Sequence, residues 1–135
     1  MWVVCKCLKL LRCEDLWGVS VVGSNPTTPT SQAGDRPDGL IEELARGAWQ
    51  IGLDQVLVSE LAHYHRGREH GEVYDIIRGE LRRDGARDDQ VHHFEEETEA
   101  LEFALDWAQP GDLVIMLALG GAAPVHKRLR ELGAQ

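Results

Sequence analysis

What this chain lacks narrows its chemistry at once. It contains no Gly-Lys dipeptide, so it has no G-x-x-x-x-G-K-[ST] loop with which to cradle the phosphates of a nucleotide. It contains no G-x-S-x-G elbow to present a serine nucleophile. Its 3 cysteines, Cys5, Cys7 and Cys13, are confined to the beginning of the chain, so they form no disulfide framework and supply no thiol to the remainder. A C-x-C-x5-C metal site and incidental thiols are the two readings left for them. Basic charge is also scarce. The chain has 14 Lys and Arg against 23 Asp and Glu, a net of -9. Lys6, Lys9 and Arg12 outweigh Glu14 and Asp15 in residues 1–33, so the acidic excess lies wholly in the rest. That balance argues against a nucleic-acid surface, which needs a basic stripe to neutralise phosphates, and against an anionic membrane surface. No apolar run reaches the length of a membrane span, and the lysines near the start interrupt any signal-peptide core. A cytoplasmic protein is expected.

What is present fits one domain. A chain of 135 residues with 43% hydrophobic and 27% charged residues can bury a single core. Its character changes near residue 33. Residues 23–33 are small, polar and proline-bearing, a linker composition without a periodic apolar face. Residues 1–22 hold two apolar runs, Val3–Leu11 and Leu16–Val22, but no clear helix or hairpin signal. Residues 1–33 are therefore read as a disordered or spurious tail, and residues 34–135 as the domain. The peptide Gly23-Ser24-Asn25-Pro26 is also what the GGTTC-AATCC core of a transfer-RNA gene encodes when translated. As a hypothesis, the tail comes from a start codon placed in or beside such a gene. Upstream genomic DNA of unrelated coding sequence would sink that origin.

From residue 34 helix and strand signals alternate. Leu40, Ile41, Leu44, Ala45 and Ala48 recur at helical spacing after Pro37, which suits a first helical turn, and Gly52 is a natural stop. Gln55–Ser59 is short, apolar and β-branched, so it reads as a buried strand. Val73, Ile76, Ile77 and Leu81 mark a second helix ending near Gly85, and Val91–Phe94 a weaker strand. A third helix opens at Glu95, Glu96 and Glu97 and carries Ala100, Leu101, Ala104, Leu105 and Ala108. Leu113–Ala118 is apolar on both faces, as a central parallel strand must be. Val125, Leu129 and Leu132 close with a short helix. This alternation predicts an α/β fold with a small parallel sheet and helices on both faces.

Three loops fall where strand and helix meet, the places where open α/β sheets hold ligands. They are Gly34-Asp35-Arg36-Pro37-Asp38, then Arg66-Gly67-Arg68 running into Gly71-Glu72-Val73, then Pro110-Gly111-Asp112 leading into Leu113. An arginine fork suits a carboxylate because it can pair with both oxygens. The plainer readings are a helix cap for Asp35 and solvated loop charge for Arg66 and Arg68.

The stretches GDRPDGLIEELARGA, DQVLVSE, HRGREHGEVYDIIRGEL and EEETEALEFALDWAQPGDLVIML, in that order and spacing, resemble the C-terminal domain of the Mur ligases, most closely the cyanophycin-synthetase-like branch. The likeness covers residues 34–135 as an incomplete domain. It implies a Rossmann-like sheet and an ATP-dependent ligase that joins an amino acid to a carboxylate through an acyl phosphate. It also implies a central P-loop domain that holds ATP and magnesium, and on which the present domain closes. Carried onto this chain, Gly34, Asp35 and Arg36 face the cleft, and Arg66 and Arg68 recognise the amino-acid substrate. No catalytic residue is assigned. ATP and magnesium belong to the full-length family, and the chain alone is expected to hold no cofactor and no metal. Lacking the P-loop, it is not expected to act alone; a separate P-loop ligase domain and an amino acid are the implied partners. The alternative is a stand-alone module that binds an acidic metabolite or a partner protein. One departure stands out. Family members run a buried strand almost directly into the GDR loop, whereas here the nearest apolar run ends at Val22, so that strand is lost or displaced.

Four smaller groups remain. His63, His65 and His70 with Glu60 have spacing that could share an ion, but no fourth ligand is fixed by it. His92 and His93 fall on a strand and are expected to face opposite ways. Glu95, Glu96 and Glu97 read as a solvated helix start, and Trp49 and Trp107 as packing residues.

Overall fold

The computed structural model describes residues 2–6, 36–60, 67–109, 112–116 and 122–132. They form an α/β fold. In chain order the elements are β1 (Trp2–Lys6), α1 (Asp38–Gln50), β2 (Gln55–Ser59), α2 (Glu72–Arg83), β3 (Val91–Phe94), α3 (Glu97–Trp107), β4 (Leu113–Met116) and α4 (Ala122–Glu131). A 3-10 turn, Asp88–Gln90, leads into β3.

The strands form one sheet in the order β3-β2-β1-β4. β2 and β3 are parallel, with Val56 opposite Val91 and Ser59 opposite Phe94. The all-parallel sheet expected from the alternation is not what forms. β1 lies between β2 and β4 and runs antiparallel to both, pairing Trp2 with Val58 and Val3 with Met116. Two expectations change with it. The first residues of the expected tail supply an inner strand. And β4, expected at the centre of a parallel sheet, pairs with β1 alone among the described strands. The physical reason is that an extended apolar segment satisfies its backbone groups equally well in either direction, and Val3–Leu11 carried no periodicity to reveal a partner.

Side-chain alternation along β2 divides the core. Val56 and Val58 face α1 and α2, where they pack with Ile41, Ala45, Ile77 and Leu81. Leu57 faces the other way, into a cluster with Ala100, Leu101, Ala104, Met116, Val125 and Leu129. Helices therefore cover both faces, as the apolar runs implied. All five residues of β2 are buried, the pattern of a strand covered on both sides.

Helix faces agree with the sequence in part. α2 buries Val73, Ile77 and Leu81, and α3 buries Ala100, Leu101 and Ala104. α1 buries Ile41 and Ala45, while Leu40 and Leu44 of the same expected face are 47% and 37% exposed. Leu132 is also exposed. Glu97 reverses its reading: it is buried at the start of α3. No helix among the described residues is long and apolar enough to cross a membrane.

Polar side chains fix α1 to α2. Glu80 is buried at their interface and accepts from Arg46 Nε at 2.8 Å, from Arg46 Nη2, and from Arg83 Nη1 at 2.8 Å. The Arg46 hydrogen bond first, and that of Arg83 next, hold the Glu80 carboxyl below its ordinary pKa. Trp49 packs on this core and donates from Nε1 to the Asp84 carbonyl at 3.1 Å, a packing role as expected.

Candidate functional site at the C-terminal edge of the parallel strands

The parallel pair ends at Ser59 and Phe94, and Glu60 N donates to the Phe94 carbonyl at 3.2 Å just beyond it. Glu60 and Glu95 therefore leave the sheet side by side. In an open α/β sheet this is the edge that receives ligands.

Glu60 organises the edge. Its carboxylate is 7% exposed and accepts from Gly71 N at 2.7 Å and from Tyr74 N at 2.6 Å. Those are amide donors of the first turn of α2, which have no partner within the helix. α2 has no side-chain cap of its own, so Glu60, reaching across from the end of β2, takes that role. A negative group there also meets the positive end of the helix dipole. Gly71 makes the approach possible: its φ of +86° lies in the left-handed region, which turns the chain so that both amides converge on one carboxylate.

On one side of Glu60 lies the arginine corner. Arg68 Nη2 donates to the Arg36 carbonyl at 2.6 Å and to Asp38 Oδ1 at 2.7 Å, and Nη1 donates to Glu72. The Arg68 side chain is only 15% exposed. Its hydrogen bond to Asp38 first, with Glu72 adding to it, raises its pKa above the ordinary arginine value. Glu72 also accepts from Glu69 N at 3.0 Å, closing the loop onto the helix start. Arg68 is thus a strut that joins the starts of α1 and α2, with two carboxylates of the chain itself on its fork. The loops singled out around Arg36 and Arg68 are brought together, while Gly34, Asp35 and Arg66 lie outside the described residues, as do Pro110 and Gly111. Asp112 folds back on its own turn, accepting from Gln109 N at 2.8 Å.

On the other side of Glu60 lies a histidine cluster. His93 projects from β3 to the α2 face and stacks on Tyr74, with ring centroids 4.8 Å apart and planes inclined by 22°. His70 lies 5.3 Å from His93 between centroids. His70 Nε2 is 2.8 Å from Glu95 Oε1, and its Nδ1 is 3.9 Å from Glu60 Oε2. One ligand-capable atom from each of His70, His93 and Glu95 falls in a group whose members are all within 4.8 Å of one another. His92 points to the opposite face, against Phe103 at 4.6 Å, as the strand alternation required.

The sequence reading placed His70 with His63 and His65, which lie outside the described residues, and it missed His93 and Glu95 as its neighbours. A signal was available. His93-x-Glu95 at a strand end puts both residues on one side, the same alternation that separates His92 from His93. Compared with family models, curated proteins and solved structures, the chain matches none.

Proposed function

We propose that this chain is the C-terminal portion of an ATP-dependent ligase that forms an amide between an amino acid and a carboxylate, working with a separate P-loop domain and inactive alone. The observation that carries this reading is the Arg68–Arg36 contact. Two loops chosen from the sequence for the same function are 32 residues apart and touch through a 2.6 Å hydrogen bond. The contact sets these two motifs beside each other at the starts of α1 and α2.

The strand order gives further support. Removing β1 leaves a gap between the parallel pair and β4. The resemblance expects a strand leading into the GDR loop that is lost or displaced here, and the strand between β2 and β4 is supplied instead by β1, which runs antiparallel to both. An open apolar groove of about 500 Å³ along α1 also begins at Arg36 and is floored by the exposed Leu40, Leu44 and Ile51, a surface suited to cover by another domain.

The arginine corner does not fit ATP by itself. Asp38 and Glu72 already hold the Arg68 fork, and a phosphate cradle needs donors aimed outward. Nucleotide binding therefore belongs to the partner domain in this reading. The chain's contribution is positional: Arg68 sets the two loops at a fixed separation, and an amino-acid carboxylate can replace that of Asp38, which is 65% exposed.

The test mixes the purified full chain with a P-loop ligase domain encoded in the same genome and follows amino-acid-dependent ATP hydrolysis. Activity present in the mixture, absent from either part and lost with Arg68→Ala, supports the reading. Absence of both association and activity refutes it.

A further inference from the structure

The histidine cluster is used by nothing in the proposed ligase role, and its chemistry is that of a metal centre. We infer that His70, His93 and Glu95 bind a first-row divalent transition metal ion, with zinc as the reference ion. Two imidazoles and one carboxylate are a recognised donor set for such ions, with a fourth position open to water. Their ligand-capable atoms lie within 4.8 Å of one another, so small side-chain rotations close the group around one ion.

Two further observations point the same way. His93 Nε2 is buried and has no hydrogen-bond partner among the described residues. An orphaned buried nitrogen is costly unless something satisfies it, and one on a half-buried imidazole beside a second imidazole and a carboxylate is the place for a cation. His70 also carries a carboxylate on each side: Glu95 at Nε2 and, farther off at 3.9 Å, Glu60 at Nδ1. A metal-bound histidine commonly passes its other ring N–H to a carboxylate, which fixes the ring and its tautomer. Glu60 is itself held in place by Gly71 N and Tyr74 N, near His70 but beyond hydrogen-bond reach of its Nδ1. Tyr74 stacked on His93 restrains the second ring.

The test is calorimetric titration of the untagged full chain with zinc chloride, paired with absorption spectra of the cobalt(II) form. The cobalt spectrum separates this centre from the cysteines near the start of the chain, because thiolate ligands add intense near-ultraviolet charge-transfer bands that nitrogen and oxygen ligands lack. We expect one zinc per chain and a cobalt spectrum without thiolate bands. Glu95→Gln and His93→Phe should each weaken binding by at least about a hundredfold, the upper end of what even an outer-shell substitution costs. Glu95 is 65% exposed, and an exposed pair such as its contact with His70 contributes about 1 kcal/mol at most, so the melting temperature of the metal-free Glu95→Gln protein, measured alongside, separates a lost ligand from a lost fold. His93→Phe keeps an aromatic ring on Tyr74. No zinc binding at micromolar concentration, binding that survives both substitutions, or cobalt bands of thiolate type would each overturn the assignment. Ligase complementation does not enter the readout, so the two proposals fail separately.

Discussion

Replacing Glu60 tests how the candidate site is held. The carboxylate accepts two backbone hydrogen bonds, at 2.7 and 2.6 Å, and is almost fully buried. Hydrogen bonds to a charged group contribute about 1.5–3 kcal/mol each, and the amides of Gly71 and Tyr74 have no helical acceptor to fall back on. Glu60→Ala opens the edge enough for water to recover part of the loss, so a net destabilisation of about 3 kcal/mol is expected. For a domain of this size that is a fall of roughly 10 °C in melting temperature. Glu60→Gln keeps one oxygen for one amide but turns an N–H group toward the other, so it is expected to lose about 2 kcal/mol in spite of its matched shape. The assay is urea unfolding followed by circular dichroism, with an unchanged slope showing that the native fold is retained. A Glu60→Gln protein as stable as the parent, or a loss below about 1 kcal/mol for Glu60→Ala, would refute the view that this carboxylate caps α2.

Four other outcomes are expected. Leu101→Ala, at a fully buried position in the α3 and α4 core, should cost about 2–5 kcal/mol in the same urea titration. Gly71→Ala should cost about 1–2 kcal/mol from backbone strain alone, because φ is +86° and an added Cβ meets nothing within 4 Å. The lowered pKa of Glu80 means that its ion pairs stabilise the fold fully above the unfolded value of 4.5 and cease to do so as pH falls through the folded value. Urea midpoints measured from neutral to acid pH should therefore fall less steeply below 4.5 in Glu80→Gln than in the parent, and parallel curves would count against the pairing. Deleting residues 2–6 removes the strand between β2 and β4 and bares two strand edges, so self-association by sedimentation is expected; a soluble, cooperatively folding monomer would contradict the sheet order.

The local elements were legible because they rest on periodicity. Ile77 and Leu81 at helical spacing, and the unbroken apolar run of β2, each have one economical interpretation. β1 was not legible: Val3 and Val4 among lysines and cysteines carry no register, and their partners lie far along the chain. Direction was lost for the same reason, since a short apolar strand reads alike both ways. Glu97 was misjudged because an acidic residue at a helix start is usually solvated, and only tertiary packing buried it. At the candidate site, the arginine loops were visible as motifs, but the saturation of Arg68 by Asp38 and Glu72 was not, because it depends on two helix starts meeting in space. The histidine cluster escaped for a related reason. His70 and His93 are joined only by the turn of α2 against β3, whereas sequence spacing favoured His63 and His65.

The placement of β1 also sets an order of assembly. β2, α2 and β3 are consecutive, and with α1 they close one core from contacts that are short along the chain. β1 precedes β2 and β4 in the chain, yet its second neighbour is complete only when Met116 has been made. Local contacts form early and distant ones late, since the loop between them must be closed at an entropic cost. The half that bears Glu60, His70, His93 and the arginine corner is therefore expected to form early, with β1 among the last strands to gain both of its neighbours.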